Sequence, residues 1–146
     1  MIERRAYTLL ELMIVVAMIG ILLGIAVPRM SAMLHRSKEG ATKTNLSNLR
    51  TAIQIYFADN EGLYPVDALG SLTFTGKYTQ KIPAADIFNT FRHPASASVE
   101  TVGAGGALVS DGGGWSYVSD RADPRWGHIY INCSHLDLAG KAWSLF

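Results

Sequence analysis

Residues 12–27 carry no charged or strongly polar side chain, and Gly20 and Gly24 are the only interruptions of the apolar run. The wider stretch 7–27 is broken only by Thr8 and Glu11. As a helix it would extend roughly 30 Å at ~1.5 Å per residue, about the hydrocarbon thickness of a bilayer. A segment like this must sit in lipid or in a protein interior of similar polarity. Arg4 and Arg5 precede it, so the positive-inside rule holds that end in the cytoplasm.

Hydropathy alone fits a single-pass anchor. A secretory signal peptide would end in a small-residue cleavage site. Here the run ends in Val27-Pro28-Arg29-Met30 and passes into further helical sequence. Neither reading explains Glu11. A carboxylate near the start of an apolar helix is unfavourable unless it is paired or lies at headgroup level, which makes it a candidate functional group.

The rest of the chain is a different material. Over 146 residues, 13 basic and 12 acidic side chains leave a net charge of +1, and no basic stripe interleaved with aromatics predicts nucleic-acid binding. Cys133 is the single cysteine, so an internal disulfide cannot form. A domain outside the cytoplasm would need another way to hold its loops.

The residues Arg4-Arg5-Ala6-Tyr7-Thr8-Leu9-Leu10-Glu11-Leu12-Met13-Ile14-Val15-Val16 resemble the N-terminus of type IV prepilins, a class that includes the pseudopilins of type II secretion. The pattern is a short basic leader, a small residue, an aromatic, Thr-Leu-Leu-Glu and an apolar helix. The resemblance implies cleavage between Ala6 and Tyr7 by a membrane aspartic prepilin peptidase, and methylation of the new Tyr7 amine by the same enzyme. It places Glu11 fifth in the mature chain and Pro28 at the family's helix proline. The family usually has glycine before the cut and phenylalanine after it, where this chain has Ala6 and Tyr7. In this reading Glu11 neutralises the Tyr7 amine of the same or a neighbouring subunit and so sets axial register. Gly20 and Gly24 form a small-xxx-small pair. With Pro28, which lacks a helix donor and clashes with the preceding turn, they mark a weak point expected to loosen on assembly.

After Pro28 charged residues arrive, and Leu46, Leu49, Ile53 and Tyr56 or Phe57 recur at helical spacing. This is the face expected to pack on a head domain, with Asn45, Asn48, Arg50 and Gln54 on other faces. Asp59-Asn60-Glu61-Gly62 should stop the helix, with Gly62 as the breaker. A loop-rich region follows, with a short helix expected over residues 84–89. Residues 103–106 and 112–114 are glycine-rich turns, not phosphate loops, since no Lys-Ser/Thr pair follows. Trp115 and Tyr117, then Ile129, Ile131 and Cys133, alternate with more polar residues and predict an antiparallel hairpin joined by residues 119–127.

Cys133, His135 and Asp137 would share a face of a strand, with His128 nearby. A core thiol and surface polar residues explain them more simply than a metal site, and no metal ligands are assigned. Asp111, Asp120 and Asp123 raise calcium binding in a late loop, as in major pseudopilins, although their spacing matches no defined calcium loop. No catalytic constellation stands out.

The expected fold is α+β: a long N-terminal helix, half membrane-soluble and half amphipathic, packed on a small antiparallel C-terminal sheet. The expected organisation is a cleaved leader over 1–6, a transmembrane and polymerisation half-helix over 7–30, an amphipathic half over 31–60, and a head over 61–146. The expected function is a non-enzymatic subunit of a type IV pilus. The chain would start in the inner membrane and its lipid, then pass through an assembly platform into an extracellular homopolymer. Adhesion, motility, DNA uptake and secretion all use such filaments. The alternative is the major pseudopilin of a periplasmic type II secretion pseudopilus. A membrane-anchored enzyme or sensor leaves the segment from Ala6 to Val16 unexplained.

Overall fold

The computed structural model describes residues 7–87 and 93–146. The expected leader, Ala6 included, lies outside them. The chain divides into two units, Met1–His35 and Arg36–Phe146. Helix α1 spans Leu9–Asp59 and runs through Pro28 without a break. Exposed apolar side chains continue along α1 through Met33 and Leu34, and Glu39 is its first buried residue.

In the second unit, α1 buries Glu39, Thr42, Leu46, Leu49, Ala52 and Ile53. The spacing of three to four residues puts them on one stripe. Tyr56 packs half-buried against the same core. The helix ends through two left-handed residues, Glu61 (φ 55°) and Gly62 (φ 81°), with the Gly62 N–H donating to the Phe57 carbonyl at 3.0 Å. Gly62 therefore shares the stop with Glu61.

Strands β1 (Val99–Val102), β2 (Trp115–Val118) and β3 (Ile129–Ile131) form a sheet in that order. The hairpin is present, with β2 antiparallel to β3 and Trp115 opposite Ile131. The expected wholly antiparallel sheet is corrected by β1, which pairs parallel to β2 with Val99 beside Trp115. A parallel return needs a connection of about a dozen residues, and the glycine-rich loop 103–114 supplies it. All four residues of β2 are buried, Ser116 included. Alternation disappears because β2 is the central strand with both faces covered.

A short helix α2 (Gly70–Thr73) contributes Leu72, and a 3-10 turn at Trp143–Leu145 contributes Trp143. These join Leu69, Ile87, Trp115, Tyr117, Ile129 and Ile131 against the α1 stripe. The polar tips of two core aromatics are satisfied: Trp115 Nε1 donates to the Pro83 carbonyl and the Tyr117 hydroxyl to the Pro65 carbonyl, both at 2.7 Å. Such handles let large rings enter a core without stranding a donor.

The expected short helix over 84–89 is not formed at 84–87, and residues 88 and 89 lie outside the described residues. Residues 84–87 instead run as an extended segment held from α1. Thr42 Oγ1 donates to the Asp86 carbonyl and accepts from the Asp86 N–H, and Asn45 Nδ2 donates to the Ala84 carbonyl. Ala85 also bridges Ser96. Asn45 thus has a packing role that its place off the apolar stripe does not suggest. The same holds for Arg50, which donates to the carbonyls of Ile129 at 3.1 Å and Phe146 at 2.6 Å. Asn48 and Gln54 are exposed as expected.

Gly127 is required by its neighbour. Its φ is +83°, and a Cβ there would lie 2.5 Å from the Tyr64 ring. That ring stacks on Phe57 at 4.3 Å and meets Trp126 edge-on at 5.3 Å.

Candidate assembly site on the N-terminal helix

The first unit presents an unusual surface. From Tyr7 to Leu34 its large apolar side chains are between 45% and 86% exposed. Soluble monomers rarely leave so much contiguous apolar area uncovered. The helix carrying it is the one helix among the described residues long and apolar enough to cross a membrane. Gly20 and Gly24 lie on open surface, with nothing within 4 Å of a Cβ built at either. They therefore offer two flat places where another helix could approach closely.

The N-terminal end is locally ordered by three hydrogen bonds. Thr8 precedes the first helical residue, Leu9. Its N–H donates to Glu11 Oε2 at 2.9 Å and its hydroxyl to the same oxygen at 3.1 Å, while the Glu11 N–H donates to Thr8 Oγ1 at 3.2 Å. This is a reciprocal capping box, which satisfies two donors that a helix start otherwise leaves open. Thr8-Leu9-Leu10-Glu11 carries the signature of this box in the sequence, which gives Glu11 a local role beside the one the wider motif suggests. Among the described residues, both side-chain bonds fall on Oε2.

In the second unit, the ligand candidates from sequence regroup: Asp111, Cys133 and His135 come together, while Asp137, Asp120 and Asp123 are held by other partners. The strand ends at Ile131, and the Cys133 N–H turns back to the Ile131 carbonyl at 2.8 Å. Cys133, His135 and Asp137 therefore do not share a strand face. Asp137 is buried and paired with Lys43 at 2.6 Å, and also accepts the N–H groups of Ala139 and Lys141. Lys43 first, then those backbone donors, hold its carboxyl below the usual range against the opposing effect of burial. Asp123 is held well below that range by Arg125, whose guanidinium and N–H both reach it. Asp120 accepts the N–H groups of Ala104 and Ala122. Asp111 accepts from both the N–H and the hydroxyl of Ser134. Asp120 and Asp123 hold the same loop through the consecutive N–H groups of Ala104 and Gly105, and Asp111 lies apart from them on Ser134.

Residues 1–27 match the family described as the prokaryotic N-terminal methylation motif. The chain is 49% identical over 59 residues to the type IV major pilin protein PilA of Myxococcus xanthus, covering 40% of this chain and 27% of that protein. In its N-terminal stretch the chain is similar to type IV pilins. It is also 35% identical over 82 residues to the fimbrial protein EcpC of Eikenella corrodens, covering 54% of this chain and 53% of that protein. With a type IV major fimbrial protein FimA of Dichelobacter nodosus it shares 40% identity over 58 residues, 40% of this chain and 37% of the relative. The matched stretch thus spans about half or less of each of these relatives' length. No solved structure matches the chain.

Proposed function

We propose that this chain is the structural subunit of a type IV pilus, processed at Ala6–Tyr7, methylated on Tyr7 and polymerised through α1. The observation that carries the reading is the exposed apolar surface of α1 directly behind a capped Glu11. Before assembly, inner-membrane lipid covers that surface. After assembly, the same surface packs on copies of itself, with little change of polarity on transfer. The relatives are named as pilin and fimbrial proteins, which favours a pilus over a type II secretion pseudopilus. Structural homopolymers of this kind need no catalytic group, and the role proposed is not enzymatic.

Glu11 serves twice in this account. Its Oε2 closes the cap on Thr8, and its charge balances the amine that prepilin peptidase exposes on Tyr7. A misregistered subunit would bury both charges apart, which is strongly unfavourable in an apolar core. Gly20, Gly24 and Pro28 are the stretch proposed to loosen as subunits pack.

Immunogold electron microscopy of cells producing this chain tests the proposal. Label along extended surface filaments, lost on deletion of the gene, is expected. Label confined to the cell envelope, with filaments unaffected by the deletion, would overturn it.

A further inference from the structure

The fold brings together four potential metal ligands from three separate parts of the chain. They are His93, Asp111 from the β1–β2 loop, and Cys133 and His135 after β3, and one donor atom from each lies within 4.8 Å of all the others. His135 Nδ1 stands 3.4 Å from His93 Nε2, 3.2 Å from Cys133 Sγ and 3.7 Å from the nearer Asp111 oxygen. A tetrahedral zinc site with metal–ligand distances of about 2.0–2.3 Å has ligand–ligand edges of roughly 3.3–3.6 Å. The three separations bracket that range. We propose that His93, Asp111, Cys133 and His135 form a tetrahedral zinc site that staples the C-terminal loops of the head.

The donor chemistry selects the metal class. Two imidazoles, a thiol and one carboxylate suit a borderline-soft divalent ion, whereas calcium and magnesium require shells of oxygen. Binding would release the Cys133 thiol proton, so that a thiolate, two neutral imidazoles and a carboxylate meet the ion. The burial pattern suits entry from one side. Cys133 is fully buried at the back, the two histidines are half-buried and Asp111 is exposed.

The supporting contacts already hold the ligands in place. Both Asp111 oxygens accept hydrogen bonds from Ser134, the residue between the two C-terminal ligands. Asp111 itself has φ +60°, a left-handed conformation rare outside glycine and enriched at functional positions. Gly113 brings its loop against His93, where a Cβ would lie 3.4 Å from the imidazole's own Cβ. The site also meets a need evident from the sequence. With one cysteine the chain cannot cross-link these loops by a disulfide, and a metal ion would tie residues 93, 111, 133 and 135 together instead. The inference is independent of the filament reading.

The test uses the full chain purified in detergent, stripped with a chelator and dialysed against zinc chloride. One zinc per chain by elemental analysis is expected, with a rise in the melting temperature. Cobalt in place of zinc should give the intense near-ultraviolet band of a thiolate–cobalt bond. Loss of an outer-shell partner alone costs about 10–100-fold in metal affinity, so removing the ligand in His93→Ala, at the accessible side, should weaken zinc binding by more than that, and Asp111→Asn, which keeps an oxygen donor, by less than His93→Ala. Cys133→Ser should abolish the cobalt–thiolate band, and circular dichroism of each variant separates lost ligation from lost fold. His128→Ala, outside the cluster, should bind as the parent does. No zinc uptake by the parent, calcium uptake in its place, a cobalt complex without the thiolate band, or unchanged affinity in folded His93→Ala would each overturn the proposal.

Discussion

Glu11→Gln separates the two roles of Glu11 because the capping box accepts glutamine as well as glutamate. In Glu11→Gln the bonds to Thr8, now 2.9 and 3.1 Å, can persist while the charge is gone. In Thr8→Ala the charge persists and the cap is gone. Losing a helix N-cap costs about 0.5–2 kcal/mol. That is a small perturbation of a long helix held by lipid. Removing one member of a buried ion pair costs about 3–5 kcal/mol, and the Tyr7 amine would be the charge left unpaired. At ~1.4 kcal/mol per tenfold this corresponds to roughly 100- to 4000-fold in subunit association. The assay is the yield of sheared filaments relative to membrane-held subunit, measured by immunoblot of both fractions. Glu11→Gln should leave processed subunit in the membrane with filaments nearly absent, and Thr8→Ala should assemble within severalfold of the parent. The opposite ranking, with Thr8→Ala defective and Glu11→Gln normal, would show that Glu11 matters through the cap and that the charge-pair argument is wrong.

Three further outcomes concern the head. A fragment of residues 31–146 should be soluble and monomeric. In it Ile53→Asp, at a side chain 1% exposed, should remove most of the ~5–15 kcal/mol typical of a domain, while Asn48→Asp should shift the melting temperature little; the reverse in circular-dichroism melts would displace the assigned helix face. Gly127→Ala should destabilise the fragment by at least about 1 kcal/mol and by more than Gly140→Ala, because both glycines have positive φ but only Gly127 lies against a ring; equal denaturant midpoints would refute the Tyr64 contact. Asp137 has a folded pKa below its unfolded value, with the Lys43 hydrogen bond the largest cause. Its stabilisation is therefore complete above the ordinary Asp value of about 4 and is lost as pH falls toward the depressed one, so melts from pH 6 to pH 2 should fall more steeply for the parent than for Asp137→Asn, and parallel curves would remove Asp137 from the account.

The features legible in the sequence are those with a local period. The uncharged run of residues 12–27 and the stripe through Leu46, Leu49 and Ile53 define α1, and the alternation at Trp115–Tyr117 and Ile129–Ile131 defines the hairpin. Strand β1 was missed because Val99-Glu100-Thr101-Val102 is short and half polar, and its parallel partner lies across a loop with no period of its own. The helix expected near residue 84 gave way to side-chain bonds from Thr42 and Asn45, which replace the helical backbone partners. The cap at Glu11 was present as Thr-x-x-Glu but was absorbed into the larger motif. Three of the four clustered ligands are singled out by sequence, Cys133 and His135 in one group and Asp111 in another. His93 joins them from 42 residues away, a distance only the tertiary fold closes, and Asp137, which the spacing suggested, is drawn off by Lys43.

In the proposed function this chain becomes a filament subunit by losing its leader and joining copies of itself through α1. Intact mass and N-terminal peptide mapping of the chain recovered from sheared surface filaments test it most directly. A chain beginning at Tyr7 and carrying one methyl group on its amine is expected. Assembled chains that still retain residues 1–6, or filaments that contain none of this chain, would contradict it.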